Sequence, residues 1–522
     1  MTTSTAALAT PHALATEAGL QAYRDGGNAI DAAITAAAVL TVVYPHNVAL
    51  GGDLIALIRT PDGAVRCLNA SGWAGAAVDA AGLRARHGDR LPARGAHAVT
   101  VPGGVRGWET LRTLGSRLSW ADTLRAAEEV ARAGAPVAPS LAAHLADAEN
   151  AELFAAADFA GVFRPGGRVL RAGDPLVQTR LADTFAALRH RGGDDFYDGE
   201  LAEQMVSYLR AAGSVLTVDD FAAFRPETVD PLAVDFADLT VHTSPPSTHG
   251  FILSRALRAI VALGLDDPLG GDLPALLRTF EGGNVLREHV LADPRLAEVD
   301  VEALVSAGLE DVSEGVTRAA TSVPRGDTVG VAAADGDGFA VSLIQSVFYA
   351  FGSGLVDPAT GVLFHNRGTS FSLDPMSPNV IAPHKRPVHT LMPVMTTHAG
   401  EVRHVLATMG GQGQPQILGQ VLLRAVDGAT ADAAVGAPRA IVGTQVDGAT
   451  VDSVTVERDL ADVAMAALAD AGVEPIVVPP HTDDMGHTNV VFIDQAGTMT
   501  AASDPRSDGA AAVVDYVRRG TP

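Results

Sequence analysis

Residues 328–348 read TVGVAAADGDGFAVSLIQSVF, two runs of small and apolar residues joined by the four residues DGDG. Two such runs around a glycine-rich turn predict a β-hairpin. The preceding residues 322–327, SVPRGD, interrupt any periodic pattern. We therefore expect Thr328 to begin a strand at the edge of a sheet, where the small side chains that follow leave room for a ligand.

The remaining sequence predicts strands near both ends of the chain and helices between them. A helix is expected over residues 12–43 and a mainly helical region from about 105 to 300, because apolar residues recur there at helical spacing. A strand, a glycine turn and a helix are predicted over 403–426. Further strands are predicted in 47–72, 233–244, 361–366, 387–397 and in four short segments (VTVE, IVVPP, NVVFID and MTAASD) towards the C terminus. This order predicts one large α/β unit, with one sheet layered on another and helices outside.

The composition excludes several classes of function. The 522 residues are 47% hydrophobic and 19% charged, and the net charge of −24 argues against nucleic acid or an anionic membrane surface as a partner. Cys67 is the single cysteine, so neither a disulfide framework nor a multi-cysteine metal site is expected. The first residues are a poor signal peptide and the apolar run 34–43 is too short to span a bilayer, so we expect a cytoplasmic enzyme.

The usual hydrolase signatures are missing from the sequence. Neither the G-x-S-x-G elbow of serine hydrolases nor the H-E-x-x-H of zinc proteases occurs. A threonine at the start of a chain is a simpler alternative, because its own α-amino group, with a pKa of about 8, can act as the base. Such a threonine must be released by cleavage of a precursor, and Thr328 is the candidate. This chemistry requires no metal or organic cofactor.

Segments across nearly the whole chain resemble the signatures of the gamma-glutamyltranspeptidase superfamily, in the same order. They are HALATEAGLQAYRDGGNAIDAAITAAAVLTVVYPHNVALGGDLIAL (12–57), VPGGVRGWETL (101–111), DPLVQTRLADTFAALRHRGGDDFYDGELAEQM (174–205), SPPSTHG (244–250), the stretch from TVGVAAAD to NRGTSFS (328–372), HKRPVHTLMP (384–393), TMGGQGQPQ (408–416) and AASDPRSDG (501–509). The resemblance implies the four-layer αββα sandwich of the N-terminal-nucleophile (Ntn) hydrolases.

The resemblance also implies a self-processed precursor. Cleavage between Asp327 and Thr328 would produce a large subunit, 1–327, and a small subunit, 328–522, which together form one folded unit. The implied partners are therefore these two subunits and a small-molecule amide substrate, with a homo-oligomer as a further possibility.

Catalytic roles carry over at four positions. Thr328 stands where the family has its nucleophile, and Ser346, eighteen residues later, stands where the family has a second hydroxyl that hydrogen-bonds the nucleophile. Gly410 and Gly411 match the paired glycines whose backbone N–H groups bind the oxyanion. Glycine suits that role because it lets backbone donors approach a substrate without a Cβ in the way.

The sequence departs from the family where a γ-glutamyl group would bind. The arginine that holds the glutamyl α-carboxylate is replaced by Ser71 or Gly72 in LNASGWAG. The Asn, Gln and Asp that hold the α-amino group are replaced by Phe348, Arg367 and Ser370. An arginine cannot accept a hydrogen bond and repels an ammonium group, so γ-glutamyl substrates should be disfavoured.

The same substitutions favour a small anion. Arg367 can bind a carboxylate in a two-pronged contact, and His389 and Thr390, which replace two serines of the family, are further donors. Phe348 should make the pocket smaller. NRGTSFSLDP and GGQGQPQ resemble the branch of the superfamily that includes oxamate amidohydrolase, so the expected substrate is a small carboxylate-bearing amide.

Three alternatives remain open at this point. The chain could be a gamma-glutamyltransferase or glutathione hydrolase with a rebuilt pocket, a cephalosporin-acylase-like enzyme, or an unprocessed member that only binds ligand. Asp53, Arg106 and Arg386 lie in signature stretches but are expected to be structural rather than catalytic.

Overall fold

The computed structural model describes residues 3–306 and 326–517. The strands are β1 (Thr3–Thr10), β2 (Asp53–Arg59), β3 (Val65–Ala70), β4 (Ala135–Pro136), β5 (Pro175–Leu176), β6 (Glu227–Val229), β7 (Leu232–Phe236), β8 (Leu239–Thr243), β9 (Gly326–Asp335), β10 (Ala340–Tyr349), β11 (Val394–His398), β12 (Glu401–Thr408), β13 (Ala440–Val442), β14 (Val454–Glu457), β15 (Ile476–Val478), β16 (Thr488–Ile493), β17 (Met499–Ser503) and β18 (Ala510–Val517).

Eighteen α-helices lie in the described residues, and most of them fall between β3 and β9. They are α1 (Ala13–Arg24), α2 (Ala29–Val43), α3 (Ala80–His87), α4 (Gly104–Arg112), α5 (Trp120–Thr123), α6 (Arg125–Ala133), α7 (Pro139–Ala146), α8 (Ala157–Phe163), α9 (Thr179–Arg191), α10 (Asp195–Asp198), α11 (Glu200–Ala211), α12 (Val218–Ala223), α13 (Gly250–Leu263), α14 (Leu273–Val290), α15 (Val301–Ser306), α16 (Gln414–Val426), α17 (Ala431–Gly436) and α18 (Asp462–Asp470). None of these helices combines the length and apolar character needed to cross a bilayer.

Two stacked sheets form the centre of the molecule. The first has the strand order β18-β1-β9-β10-β2-β3-β6 and the second has the order β17-β16-β12-β11-β8-β7. Apolar side chains from both sheets, such as Ile344 and Val405, form the core between them. Helices such as α2 cover the outer face of the first sheet, and helices such as α13 and α16 cover the second. The expected αββα sandwich is confirmed.

The alternation of side chains along β9 and β10 orients the candidate catalytic hydroxyls. Val329, Val331 and Ala333 face the helices outside the first sheet, whereas Ala332 and Ala334 face the second sheet. Successive side chains of a strand point to opposite faces, so Thr328 shares the face between the sheets.

Several predicted boundaries were wrong. The helix expected over 12–43 is two helices, because Gly26 has φ +94° and Asn28 caps the second helix in a capping box with Asp31. Residues 361–366 form only isolated bridges, and the strand expected at 387–397 is confined to Val394–His398. The hairpin at 328–348 is confirmed, but β9 begins at Gly326. Residues 322–325 of the predicted break lie outside the described residues.

Candidate functional site

Thr328 and Ser346 lie on adjacent strands of the first sheet, β9 and β10, and both are buried. The Thr328 Oγ1 hydroxyl donates to Ser346 Oγ at 3.1 Å, as expected from the sequence. Ser346 Oγ in turn donates to the backbone oxygen of Asp327 at 2.5 Å. The two hydroxyls therefore form a continuous chain that ends on the carbonyl of the Asp327–Thr328 peptide bond.

Phe348 supplies the remaining contact of Ser346. Its backbone N–H donates to Ser346 Oγ at 2.8 Å, and its φ of +81° lies in a region that bulky residues rarely adopt. The pairing of β9 with β10 is irregular between Gln345 and Phe348, so the chain bulges here. The bulge turns this N–H onto the serine oxygen, which leaves the serine proton directed at the Asp327 carbonyl.

Asn47 contacts Thr328 from the other side. Its side-chain amide donates to the Thr328 backbone carbonyl at 3.1 Å, and the backbone carbonyl of Asn47 accepts the Val347 N–H at 3.0 Å. Asn47 lies in the loop between α2 and β2, so the buried helix α2 leads directly to this contact. Asn47 was not predicted as a site residue, although it lies within the signature stretch HNVALGGD.

The Gly410–Gly411 turn joins β12 to α16 and lies close to β9. Gly410 has φ +147° and Gly411 has φ +52°, conformations that residues with a side chain rarely adopt. A Cβ on Gly330, two residues after Thr328, would be 2.6 Å from the Ala407 carbonyl carbon and 2.8 Å from Thr408 N. This close contact between the sheets brings the strand that carries Thr328 against the end of β12, where the glycine turn starts.

Arg367 is the least satisfied cation of this region. Its side chain is 1% exposed, and its guanidinium carbon lies 3.7 Å from the centroid of the Phe348 ring. Nη1 donates to Thr390 Oγ1 at 3.3 Å, whereas Nε and Nη2 make no hydrogen bond within the described part of the chain. Burial lowers the pKa of Arg367 to about 9, against the opposing effect of Asp53. Within residues 3–306 and 326–517, no carboxylate forms an ion pair with this guanidinium.

Asp53 holds the second predicted donor, His389. Asp53 Oδ2 lies 3.2 Å from His389 Nε2 and 3.5 Å from His365 Nδ1. Burial opposes ionisation of Asp53, but both histidines lower its pKa below the ordinary value. Burial and the charge of Arg367 lower the pKa of His389 to about 3, so its ring is neutral. His389 Nδ1 accepts the Leu391 N–H at 3.2 Å, so both ring nitrogens are engaged and a direct contact with a carboxylate would have to displace one partner.

A small cleft of about 120 Å³ lies beside this cluster. Its walls include four of the predicted substrate-binding residues, Phe348, Ser370, His389 and Thr390. Arg367 lies behind Phe348 and Thr390, which it contacts, and is not itself part of the wall. The structure thus brings the predicted substrate-binding residues together at one cleft.

The rim of the cleft is charged and was not anticipated from the sequence. Arg90, Arg287 and Glu288 line it together with Gln412. Arg287 Nη2 donates to Gln412 Oε1 at 2.7 Å, and Glu288 lies within 3.9 Å of Arg90. Gln412 follows Gly411 directly, so the rim is connected to the glycine turn. Because these residues come together from distant parts of the chain, no local spacing could have indicated them.

The family model described as gamma-glutamyltranspeptidase matches residues 15–514, nearly the whole chain. The chain belongs to the gamma-glutamyltranspeptidase family. A glutathione hydrolase-like YwrD proenzyme of Bacillus subtilis is 35% identical over 513 residues, which cover 96% of this chain and 97% of the relative. An oxamate amidohydrolase proenzyme of Klebsiella pneumoniae is 35% identical over 524 residues, with the same shares of the two chains.

A solved structure has the same architecture. A cephalosporin acylase from Bacillus halodurans superimposes with a TM-score of 0.89 and 32% identity, covering 98% of this chain and 96% of that one. The gamma-glutamyltranspeptidase-family chain is therefore an enzyme of the Ntn-hydrolase type. Its relatives are named as proenzymes, which agrees with a large and a small subunit cut from one precursor.

In this family member, the position expected for a carboxylate-binding arginine is closed. The Ser71 hydroxyl donates to Asn69 Oδ1 at 2.7 Å, and the Gly72 N–H donates to Asp53 Oδ1 at 2.9 Å. A Cβ on Gly72 would be 1.6 Å from the Val101 carbonyl oxygen, so no side chain fits there. The arginine of the family is therefore absent, and the Val101 backbone packs closely against Gly72, just after β3.

Arg106 and Arg386, which were expected to be structural, each pair with a carboxylate of the protein. Arg106 pairs with Glu109 at 2.8 Å and Asp194 at 2.5 Å. Arg386 pairs with Glu227 and donates from Nε to the Ser71 carbonyl at 3.0 Å. Both therefore differ from Arg367, whose guanidinium has no carboxylate partner among the described residues.

Proposed function

We propose that this family member is a self-processing amidohydrolase that hydrolyses a small amide carrying a carboxylate, as in oxamate. The proposed cut lies between Asp327 and Thr328 and yields the subunits 1–327 and 328–522. In this proposal Thr328 is the nucleophile, Ser346 orients it, and the N–H groups of Gly410 and Gly411 bind the oxyanion.

Self-cleavage has to proceed before Thr328 has a free amine. The geometry of the uncut chain supports a neutral relay: Thr328 Oγ1 attacks the Asp327 carbonyl carbon while its proton passes to Ser346 Oγ. Ser346 at the same time gives its own proton to the Asp327 carbonyl oxygen. Collapse of the tetrahedral intermediate re-forms the Asp327 carbonyl and breaks the C–N bond, and the hydroxyl proton passes to the released Thr328 nitrogen. The resulting ester on Thr328 Oγ1 is hydrolysed by water to the Asp327 carboxylate and free Thr328.

Turnover uses the amine that this cleavage releases. The α-amine of Thr328 takes the proton from Oγ1 as the oxygen attacks the substrate carbonyl, and it later passes that proton to the leaving nitrogen. Backbone donors at Gly410 and Gly411 stabilise the negative oxygen of the tetrahedral intermediate. Water then releases the acid from the acyl-enzyme, and the nucleophile is restored.

The incomplete hydrogen bonding of the buried Arg367 side chain, among the described residues, is the single observation on which the proposed substrate class rests. A buried guanidinium with two nitrogens that have no hydrogen bond among the described residues is costly unless an anion completes it. Thr390 and the Phe348 ring hold the guanidinium beside a cleft of about 120 Å³. A carboxylate separated by one bond from the scissile carbonyl would satisfy these donors once the Phe348 or Thr390 side chain, which separates Arg367 from the cleft, moves aside. The size of the cleft favours a very small acid.

We expect Arg367→Gln to lower kcat/KM for small carboxylate-bearing amides by about 10- to 150-fold, because losing a charge-assisted contact costs about 1.5–3 kcal/mol. The loss should appear mainly in KM if the contact is equally strong in the ground and transition states. Steady-state kinetics with oxamate, other short carboxy-amides and their uncharged analogues would measure it. The uncharged analogues should lose little.

Arg168→Gln is the matched control. Arg168 is an exposed arginine paired with Asp174 at 2.7 Å, and it does not line the cleft, so its loss should leave the kinetics unchanged. Unaltered KM for carboxy-amides in Arg367→Gln, with a melting temperature close to that of the wild type, would exclude this pocket.

A second candidate is hydrolysis of a larger acyl amide, favoured by the close similarity to the cephalosporin acylase of Bacillus halodurans. The small cleft argues for the first candidate, since pockets for drug-sized ligands typically measure about 300–1,000 Å³. A substrate screen that adds glutaryl amides, γ-glutamyl-p-nitroanilide and glutathione would decide between them. Preference for either γ-glutamyl compound would favour a gamma-glutamyltransferase or glutathione hydrolase with a rebuilt pocket.

A further inference from the structure

A turn at residues 483–487 packs directly against the start of the glycine turn. The His487 carbonyl accepts the Met409 N–H at 2.8 Å. A Cβ on Gly486 would be 2.5 Å from Ile417 Cδ1, 2.6 Å from the Met409 oxygen and 3.5 Å from the Gly410 Cα, so the turn packs against both the backbone of the glycine turn and the Ile417 side chain. Any shift of this turn is therefore transmitted to Gly410.

A buried arginine, Arg439, holds one side of the 483–487 turn. Arg439 Nη1 donates to the Met485 carbonyl at 2.9 Å and to the Gly486 carbonyl at 2.7 Å. Its Nη2 pairs with Asp504, which also accepts the Thr488 N–H at 2.9 Å. These contacts all lie within residues 328–522, so they would persist in the small subunit after cleavage.

The other side of the turn is held from the large-subunit part of the chain. Asp483 Oδ2 lies 3.3 Å from Nε2 of His144 in α7, and Asp483 Oδ1 pairs with Nε2 of His487. The His144 ring also packs against the tilted ring of His46, with centroids 4.7 Å apart, and His46 lies in the loop that carries Asn47. Burial opposes protonation of His144, but Asp327 and Asp483 raise its pKa to about 9.

We propose that His144 and Asp483 form a clamp between the two subunits that positions the Gly410–Gly411 turn for oxyanion binding. The clamp residues act through the turn and contact no reacting atom. This inference rests on the proposed function, because it assumes that the glycine turn binds the oxyanion.

The conformation of the turn explains why a clamp is needed. Gly410 and Gly411 both have positive φ, and glycine has more accessible backbone conformations than any other residue. Donors stabilise a developing charge only if they are already oriented when the charge forms. The link from α7 through Asp483 and His487 to Met409 limits that freedom, and the neighbouring His46–Asn47 loop holds Thr328 at the same time.

The test is the pair of variants Asp483→Asn and His144→Gln, assayed with the best amide from the substrate screen. We expect each to lower kcat by about 10- to 100-fold, the usual cost of slightly misplaced catalytic groups, with KM changed by less than about threefold. The double variant should be no worse than either single variant, because both remove the same link. Asp483→Glu should restore part of kcat.

Asp238→Asn is the matched control, because Asp238 forms a similar pair with His398, at 3.4 Å, on the surface of the second sheet. It should leave kcat unchanged. Gly486→Ala is an independent variant: its Cβ would clash with the Met409 oxygen and with Ile417 Cδ1 beside the glycine turn, so kcat should fall although the His144–Asp483 pair is intact.

Wild-type kcat in both Asp483→Asn and His144→Gln would overturn the clamp. The clamp would also be overturned if, in each variant, the fall in kcat equalled the fall in the fraction of folded protein. If the wild type cleaves itself and turns over while these variants behave like it, only the clamp is wrong. If the wild type neither cleaves itself nor hydrolyses amides, the proposed function is wrong as well.

Discussion

Thr328→Ala is expected to abolish both self-cleavage and turnover. The substitution removes the oxygen that attacks the Asp327 carbonyl and, after processing, the substrate. No other hydroxyl can replace it, because Ser346 Oγ is already bonded to Asp327 O and the Phe348 N–H. The purified variant should therefore stay a single chain of 53.6 kDa.

The wild type should give two fragments. Scaling the mass by 327/522 and 195/522 predicts bands of roughly 34 and 20 kDa that remain associated through the shared sheets. Terminal sequencing of the smaller band should give TVGVAAAD. Thr500→Ala is the matched control, since Thr500 is an exposed threonine on the edge strand β17 of the second sheet, and it should process normally. An uncut wild-type chain that still hydrolyses amides would contradict the mechanism.

Ser346→Ala should slow self-cleavage and turnover by about 10- to 1,000-fold, by analogy with the loss of one positioned donor. The variant keeps the nucleophile but removes both the acceptor of the Thr328 proton and the donor to the scissile carbonyl. A time course of band appearance measures the first effect. The turnover rate per processed molecule measures the effect on catalysis.

Ser342→Ala is the control for Ser346. It removes another buried serine of β10, one that donates to the Leu406 carbonyl at 2.6 Å. That change should affect stability but not the cleavage rate. Ser346→Thr retains the hydroxyl and should recover much of the rate. Normal processing in Ser346→Ala would mean that the relay through this serine has no role.

The sequence alone allowed the family, the αββα architecture and the hairpin at 328–348 to be predicted. These predictions rest on hydrophobic alternation, the DGDG turn and a long series of ordered signature segments. All of these are local features that can be read directly from the order of residues along the chain. The same applies to the replacement of expected residues by Phe348 and Arg367, since a change of residue type is visible without coordinates.

Some local predictions were wrong because tertiary contacts override local preference. The apolar run at 361–366 predicted a strand, yet Phe364 forms only an isolated bridge to Gly51. The helix over 12–43 was predicted as continuous, but the Asp25–Asn28 segment breaks it with its own cap. Helical periodicity continues on both sides of that break, so it did not reveal the interruption.

Only the tertiary structure decided which groups share a site. It brings Asn47 to the Thr328 carbonyl, places Asp53 beneath His389, and leaves two nitrogens of Arg367 without hydrogen bonds among the described residues. An arginine either pairs with a carboxylate of the protein or is left to bind an anionic ligand. Which of these applies depends on its spatial distance to residues that are hundreds of positions away in the sequence. Sequence determined which chemistry this chain carries, because residue types set the available nucleophile, donors and charges. Packing determined how that chemistry is arranged, because burial and the distance between charges are properties of the folded chain alone.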